Sequence, residues 1–189
     1  MVQLAEAVVP TRAGKLIILD RDGVINYDSD KYIKHPDEWR PIPGSLDAIA
    51  RLTQDGWRVV VATNQSGVGR GLFDMASLNA IHAKMHRAVN QAGGRIEAVF
   101  YCPDTDESQS PCRKPNPGMF HAIAERFNVS LADAPCVGDS LRDLRAAATV
   151  GGRPILVLTG KGKKTRAAGD LPETTAVYPD LAAVAQALC

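Results

Sequence analysis

Lys15-Leu16-Ile17-Ile18-Leu19-Asp20-Arg21-Asp22-Gly23 is the stretch that decides how this chain folds. Four consecutive apolar residues suit a short strand covered on both faces, and strands of that kind belong to parallel sheets flanked by helices. The run stops at Asp20 and Asp22, and Gly23 gives the backbone room to turn toward a ligand. Carboxylates this close repel, so a proton or a cation has to relieve them, and at a strand end they are suitable oxygen ligands for Mg²⁺. An Asp-x-Asp is also an ordinary polar turn, and alone it identifies nothing.

Outward from this strand, apolar runs alternate with helix-period segments. Gly44 to Asp55 sets Leu46, Ile49, Ala50 and Leu52 mostly on one helical face and ends at Gly56, and Arg58 to Ala62 is a second strand. Met75 to Ala92 predicts a longer helix with Asp74 as N-cap and a stripe of Leu78, Ile81, Met85 and Val89. The pattern continues as strand Ala98 to Tyr101, helix Pro117 to Phe127, strand Cys136-Val137, helix Leu141 to Val150, strand Ile155 to Leu158 and helix Leu181 to Leu188. The expectation is an α/β fold, a three-layer, Rossmann-like, mainly parallel sheet with helices on both faces. With no repeat, low-complexity tract or long linker, residues 1–189 read as one domain. Sites in such sheets form beyond the carboxyl ends of the strands, where Asp20, Thr63, Cys102 and Gly138 fall.

The 189 residues carry 22 Lys plus Arg against 21 Asp plus Glu, so no overall basic field points to nucleic acid. No apolar run approaches the roughly 20 residues a membrane span requires. The start, Met1 to Val9, lacks a basic region followed by an apolar core, and Cys102, Cys112, Cys136 and Cys189 form no dense extracellular framework. The expectation is a cytoplasmic protein, a monomer, without membrane or nucleic-acid partners.

Three further motifs fall at the same sheet edge. Val59 to Ala62 delivers Thr63 and Asn64, whose hydroxyl and amide can donate to phosphate oxygens. Arg113-Lys114-Pro115 offers one cation for a transferring phosphoryl group and another for a second anion. Val137-Gly138-Asp139-Ser140, with Asp143 one helical turn on, supplies the remaining carboxylates of a magnesium site.

Asp-x-Asp, Thr, Lys and Gly-Asp at successive strand ends resemble the four motifs of the haloacid dehalogenase superfamily, in order and across nearly the whole chain. More narrowly, Asp20-Arg21-Asp22-Gly23-Val24-Ile25-Asn26, Thr63-Asn64-Gln65-Ser66-Gly67 and Cys112-Arg113-Lys114-Pro115 resemble the heptose 1,7-bisphosphate phosphatases, relatives of the histidinol-phosphate phosphatases. The resemblance implies a Mg²⁺-dependent phosphatase that removes the C7 phosphate of a heptose bisphosphate through an aspartyl-phosphate, on the route to nucleotide-activated heptose for lipopolysaccharide. It implies Asp20 as nucleophile, Asp22 as general acid and base, and Thr63 and Lys114 as stabilisers of the phosphoryl group. Asp20, Asp139 and the Asp22 carbonyl would hold Mg²⁺. Asp28, Ser29, Asp30, Lys31, Asn64, Gln65, Ser66, Arg113 and Ser140 would line the substrate site.

Superfamily members often carry an inserted cap domain, for which neither Asp22 to Gly44 nor Tyr101 to Arg113 leaves room. Substrate choice then falls to loops: Asp28 to Lys34, a mobile Gly67 to Gly71, and Pro103 to Arg113. Many heptose-bisphosphate phosphatases hold a structural zinc in the last of these. Here Cys102 and Cys112 remain while Asp104 and Ser110 take the other places, so no zinc is expected, and the two cysteines read as free thiols in the cytosol, with a disulfide between them open to the protein in vitro. His82 and His86 read as surface residues, Lys161 to Lys164 as a solvated basic loop, and Cys136 as core. The rival readings are a histidinol-phosphate phosphatase, against which Arg113 argues by preferring a second anion, and a phospho-accepting receiver module, which would release about one phosphate per chain.

Overall fold

A computed structural model describes residues 11–12 and 14–189; Met1 to Val9, read above for a leader, lies outside the described residues. Its centre is a six-stranded parallel sheet. The strands are β2 (Leu16–Leu19), β3 (Arg58–Asn64), β4 (Ala98–Cys102), β6 (Pro135–Gly138), β7 (Arg153–Val157) and β8 (Ala176–Tyr178), in spatial order β4-β3-β2-β6-β7-β8. A separate parallel pair joins β1 (Thr11–Arg12) to β5 (Val129–Ser130). The helices are α1 (Ser45–Gln54), α2 (Ser66–Gly69), α3 (Met75–Gln91), α4 (Gly118–Phe127), α5 (Leu141–Thr149), α6 (Gly162–Ala168) and α7 (Leu181–Leu188).

Side chains alternate across the strands and so divide the core in two. Ile17, Leu19, Val59, Val61 and Val137 pack on one face with Ile49, Leu52, Ile81, Met85 and Val184 of α1, α3 and α7. Leu16, Ile18, Val60, Ala62 and Cys136 pack on the other with Phe120, Ile123 and Ala146 of α4 and α5. All four residues of β2 are at most 2% exposed, which explains its unbroken apolar sequence. At about 1.5–3 kcal/mol for each fully buried side chain, this strand anchors both layers.

The sheet runs from β2 to β3 and β4 in one direction, then returns to place β6 on the other side of β2. A reversal of this kind opens a crevice at the carboxyl ends of the strands. Leu19 pairs with Val61 and with Val137, so Asp20 just past β2, Thr63 near the end of β3 and Asp139 just past β6 come to the same edge of the sheet.

Several segments differ from the sequence reading. Gly67 to Gly71 is no loose loop: it begins in α2, Gly69 N–H donates to the Pro103 carbonyl at 3.1 Å, and Leu72 N–H to Gly67 O at 2.9 Å. A Cβ on Gly67 would strike the Phe73 ring and one on Gly69 the Pro103 carbonyl, so these glycines serve close packing. Lys161 to Lys164 leads into α6 rather than lying free in solvent, because Lys161 has partners in the site described below. Strand β8 escaped notice since only three residues carry it.

Among the described residues no cap domain covers the crevice. Residues 22–44 form a flap with one 3-10 turn, Pro36–Glu38, tied to α3 by Lys84 Nζ donating to Pro36 O at 2.7 Å. The 103–113 loop carries a second such turn, Asp106–Ser108. It is closed at its base by a Cys102–Cys112 disulfide, with Cα atoms 5.8 Å apart, within the range such bonds span. The expectation of two free thiols is therefore corrected.

Candidate active site

Asp20 emerges from β2 with its backbone N–H bound to Val137 O at 2.9 Å, which fixes its direction from the neighbouring strand. Its Oδ1 accepts from the Arg21 N–H at 2.7 Å and lies 3.1 Å from Lys114 Nζ. Lys114 is buried; its ammonium also donates to Ala62 O at 2.7 Å and pairs with Asp143 Oδ1 at 2.7 Å. Asn64 holds the lysine's backbone in a two-bond clip, donating to Lys114 O at 3.0 Å and accepting from Lys114 N at 3.1 Å.

Asp139 follows β6, and its Oδ2 accepts from the Lys161 N–H at 2.8 Å. Ligand oxygens of Asp20, Asp139 and Asp143 all lie within 4.8 Å of one another. Burial, reinforced by the charges of Asp143 and Asp20, pushes Asp139 up to about 8. Burial also raises Asp20, to about 6, against the pull of Lys114. Asp143 is penalised by burial too, yet Lys114 and Arg142 hold it below the usual carboxylate range. The cluster is thus short of positive charge. A Cβ on Gly23 or on Gly160 would run into the Asp139 carboxylate, so two glycines clear the ground around it. Buried hard oxygen donors with a charge deficit fit a divalent cation such as Mg²⁺.

Asp22 is held differently. Burial opposes its ionisation, but Arg21, Asn26 and Gln65 together keep its pKa low. Arg21 grips it from Nη2 at 2.8 Å, Asn26 Nδ2 donates to Oδ1 at 2.8 Å, and Gln65 Nε2 donates to Oδ2 at 2.9 Å. The same Gln65 nitrogen donates to Thr63 Oγ1 at 3.0 Å, linking β3 to the Asp20-x-Asp22 turn. Arg21 is fully buried, and its Nη1 meets His82 Nε2 at 3.2 Å. His82 is therefore no surface residue. Burial, then the Arg21 charge, drives it down to about 3, so the imidazole is neutral and Nε2 accepts. A signal was present: His82 lies four residues after Leu78 and three before Met85, on the buried stripe.

Above these groups opens a cavity of about 200 Å³ lined by Asp20, Asp22, Thr63, Asn64, Gln65 and Ser66 from the sheet edge. Asp28, Ser29 and Asp30 line it from the flap, and Arg113 from the opposite loop. Two predicted substrate residues fall outside that lining. Lys31 is exposed, its N–H bound to Ser29 Oγ at 3.1 Å, and the Ser140 hydroxyl is spent on Asp143 Oδ2 at 2.6 Å, in the capping box of α5. Tyr32, Ile33 and Asp106 also line it, within the loops expected to set substrate choice, whereas Arg142 and Lys161 line it from outside every predicted segment of the site. Lys161 Nζ pairs with Asp28 Oδ2 at 3.0 Å, joining α6 to the flap.

In the 103–113 loop, Asp104 Oδ2 lies 3.7 and 3.6 Å from the Cys102 and Cys112 sulfurs. Joined to each other, these sulfurs are not thiolate ligands.

A lysine and three carboxylates at the carboxyl edge of a capless parallel sheet define the class of haloacid dehalogenase-like hydrolases. Family models described as HAD-hydrolase-like and as polynucleotide kinase 3 phosphatase match residues 111–184 and 15–147. A D-glycero-beta-D-manno-heptose-1,7-bisphosphate 7-phosphatase of Bordetella bronchiseptica is 63% identical over 174 residues, 92% of this chain and 97% of that one. One from Pseudomonas putida is 54% identical, over 92% of this chain and 99% of its own. The solved structure of the B. bronchiseptica D,D-heptose 1,7-bisphosphate phosphatase, complexed with magnesium and phosphate, superposes with a TM-score of 0.91 at 63% identity, covering 92% of this chain and 97% of that one. The Burkholderia thailandensis counterpart gives 0.74 at 59% identity, with the same coverage. The chain belongs to the haloacid dehalogenase superfamily, in the family of the heptose-1,7-bisphosphate 7-phosphatases.

Proposed function

We propose that this chain hydrolyses the C7 phosphate of D-glycero-D-manno-heptose 1,7-bisphosphate, on the route to nucleotide-activated heptose for lipopolysaccharide. The observation that carries the chemistry is Asp20 Oδ1 at 3.1 Å from the buried Lys114 ammonium, beside the Asp139 carboxylate. The substrate rests on relatives matched over nearly their full length. Asp20, Asp139 and the carbonyl oxygen of Asp22 would hold Mg²⁺, which supplies the positive charge that lets a carboxylate approach an anionic phosphate.

In the first half-reaction an Asp20 oxygen bonds to phosphorus as the bond to sugar O7 breaks, and Asp22 gives the leaving oxygen its proton. Lys114 and Thr63 stabilise the phosphoryl oxygens. In the second half, Asp22 takes a proton from water, the water oxygen bonds to phosphorus, and the P–O bond to Asp20 breaks, releasing inorganic phosphate. Ionised on Arg21 at rest, Asp22 suits the second role as it stands. Arrival of an anionic substrate raises its proton affinity for the first.

Asp28, Ser29, Asp30, Asn64, Gln65, Ser66 and Arg113 shape the site around the sugar. Histidinol phosphate is disfavoured because its cationic end offers Arg113 nothing to bind. We place the protein in the cytoplasm as a single-domain monomer without zinc and without nucleic-acid or membrane partners. The near-balanced charge speaks against a nucleic-acid partner, and among the described residues no helix is long and apolar enough to cross a membrane. Phosphate release with Mg²⁺ from both anomers of the heptose bisphosphate and from histidinol phosphate tests the assignment. Faster turnover of histidinol phosphate overturns it.

A further inference from the structure

An anionic substrate enters the active-site cavity past the carboxylates of Asp20, Asp22, Asp28, Asp30 and Asp106. Asp20 is matched by Lys114, Asp22 by Arg21 and Asp106 by Arg113. Asp28 and Asp30 ride on the flap and share one ammonium, that of Lys161, at 3.0 and 3.7 Å. Their exposures separate them. The Asp30 side chain is 94% exposed and screened by water, whereas that of Asp28 is 22% exposed, so its charge is felt inside the cavity. Asp28 is also fixed in direction, since Oδ1 accepts from the Ser29 N–H at 2.8 Å while Oδ2 meets Lys161. Lys161 reaches the flap from a firm base. Its own N–H donates to Asp139 Oδ2 at 2.8 Å, Thr165 Oγ1 donates to Asp139 O at 2.8 Å, and Thr159 Oγ1 donates to Gly23 O at 2.6 Å. These contacts use main-chain atoms and threonine hydroxyls, so a change of the Lys161 side chain leaves them in place.

We propose that Lys161 is a positioning residue for the reaction: its ammonium holds Asp28 in place on the flap and cancels that carboxylate's charge, so that an anionic substrate can enter beneath it. The proposal rests on the bisphosphatase reading above and adds to it a residue that acts through Asp28 rather than on the substrate. A carboxylate is a good acceptor for sugar hydroxyls, yet beside a phosphate it repels. Paired with an ammonium it keeps its free lone pairs and loses most of its field. Lys161 thereby lets the flap be rich in acceptors without turning the substrate away.

The test measures kcat and KM for heptose 1,7-bisphosphate with Mg²⁺ in wild-type, Lys161→Met, Lys161→Arg and Lys161→Met/Asp28→Asn proteins. Lys161→Met, which exposes the substrate to the bare Asp28 charge, should raise KM about tenfold and change kcat by less than about threefold. Lys161→Arg, which keeps the cation, should stay within about threefold of wild type in KM. The decisive variant is the double one. Asp28→Asn removes the stranded charge and keeps an oxygen acceptor, so adding it to Lys161→Met should bring KM back down at least about threefold. Lys164→Met, which takes a charge from the outer side of the same groove, is the control for a general loss of positive field and should leave KM within about twofold. An unchanged KM in Lys161→Met, an equal rise in Lys164→Met, or a double variant no better than Lys161→Met overturns the proposal while leaving the phosphatase intact. A wild-type chain that releases no phosphate from the bisphosphate overturns instead the reading on which the proposal rests.

Discussion

Lys114 Nζ lies 3.1 Å from Asp20 Oδ1 with both side chains buried, and the same ammonium is the ion-pair partner of Asp143 at 2.7 Å. One cation thus serves two largely buried carboxylates. Removing it as Lys114→Met strands both, at a cost of about 3–5 kcal/mol. The melting temperature at pH 7.5 should fall by at least about 6 °C. The loss should shrink toward pH 5, where the stranded carboxylates take up protons.

Asp20→Asn keeps the shape of the side chain and removes its negative charge. Mg²⁺-dependent phosphate release should fall by at least about a thousandfold while circular dichroism stays that of the parent. A variant retaining a tenth of the activity would refute the role given to Asp20.

Asp139 at about 8 and Asp20 at about 6, both raised from 3.8, bind protons more tightly folded than unfolded. The metal-free protein therefore gains stability from them at pH values below about 4 and loses it as the pH rises toward about 8. Since Mg²⁺ competes with those protons, it should raise the melting temperature more at pH 8 than at pH 6. Thermal melts in EDTA and in excess Mg²⁺ at the two pH values measure the difference.

Gly160 has φ +53°, and a Cβ there would press on Asp139 Oδ2 and on Gly23 Cα. Gly160→Ala should displace the Asp139 carboxylate and raise the Mg²⁺ concentration for half-maximal activity about tenfold or more. A magnesium titration of the purified variant reads this directly.

His82→Leu deprives the buried Arg21 Nη1 of its acceptor at 3.2 Å and should cost about 1–3 kcal/mol in urea unfolding. His82→Gln, which can present an amide oxygen there, should recover part of it.

The sheet and its active edge were legible because the apolar strands are short, uninterrupted and each followed by a chemically distinctive residue: Asp20 after Leu19, Thr63 after Ala62, Asp139 after Gly138. Periodicity located α1, α3, α4, α5 and α7 to within a residue or two, as at Met75–Gln91 with its Asp74 cap, but α2 and α6 lie in segments that read as loops. What stayed hidden depends on contacts distant in sequence. Lys161 looks like one charge in a basic run until α6 brings its N–H to Asp139, 22 positions away. Arg142 reads as one more polar residue early in α5. The glycines at 67 and 69 suggest looseness, and only Phe73 and Pro103 show that they are tight-packing sites. His82 was recoverable from its place on the α3 stripe.

The 103–113 loop leaves and rejoins the frame at one point, its ends held by Cys102 and Cys112, while Arg70 on the adjoining turn steadies its middle through Glu107 at 3.3 Å. It is a detachable module, because its exchange for the corresponding loop of a relative touches neither the sheet nor the carboxylates below. New substrate preferences can therefore be acquired by grafting there, with the catalytic engine inherited unchanged.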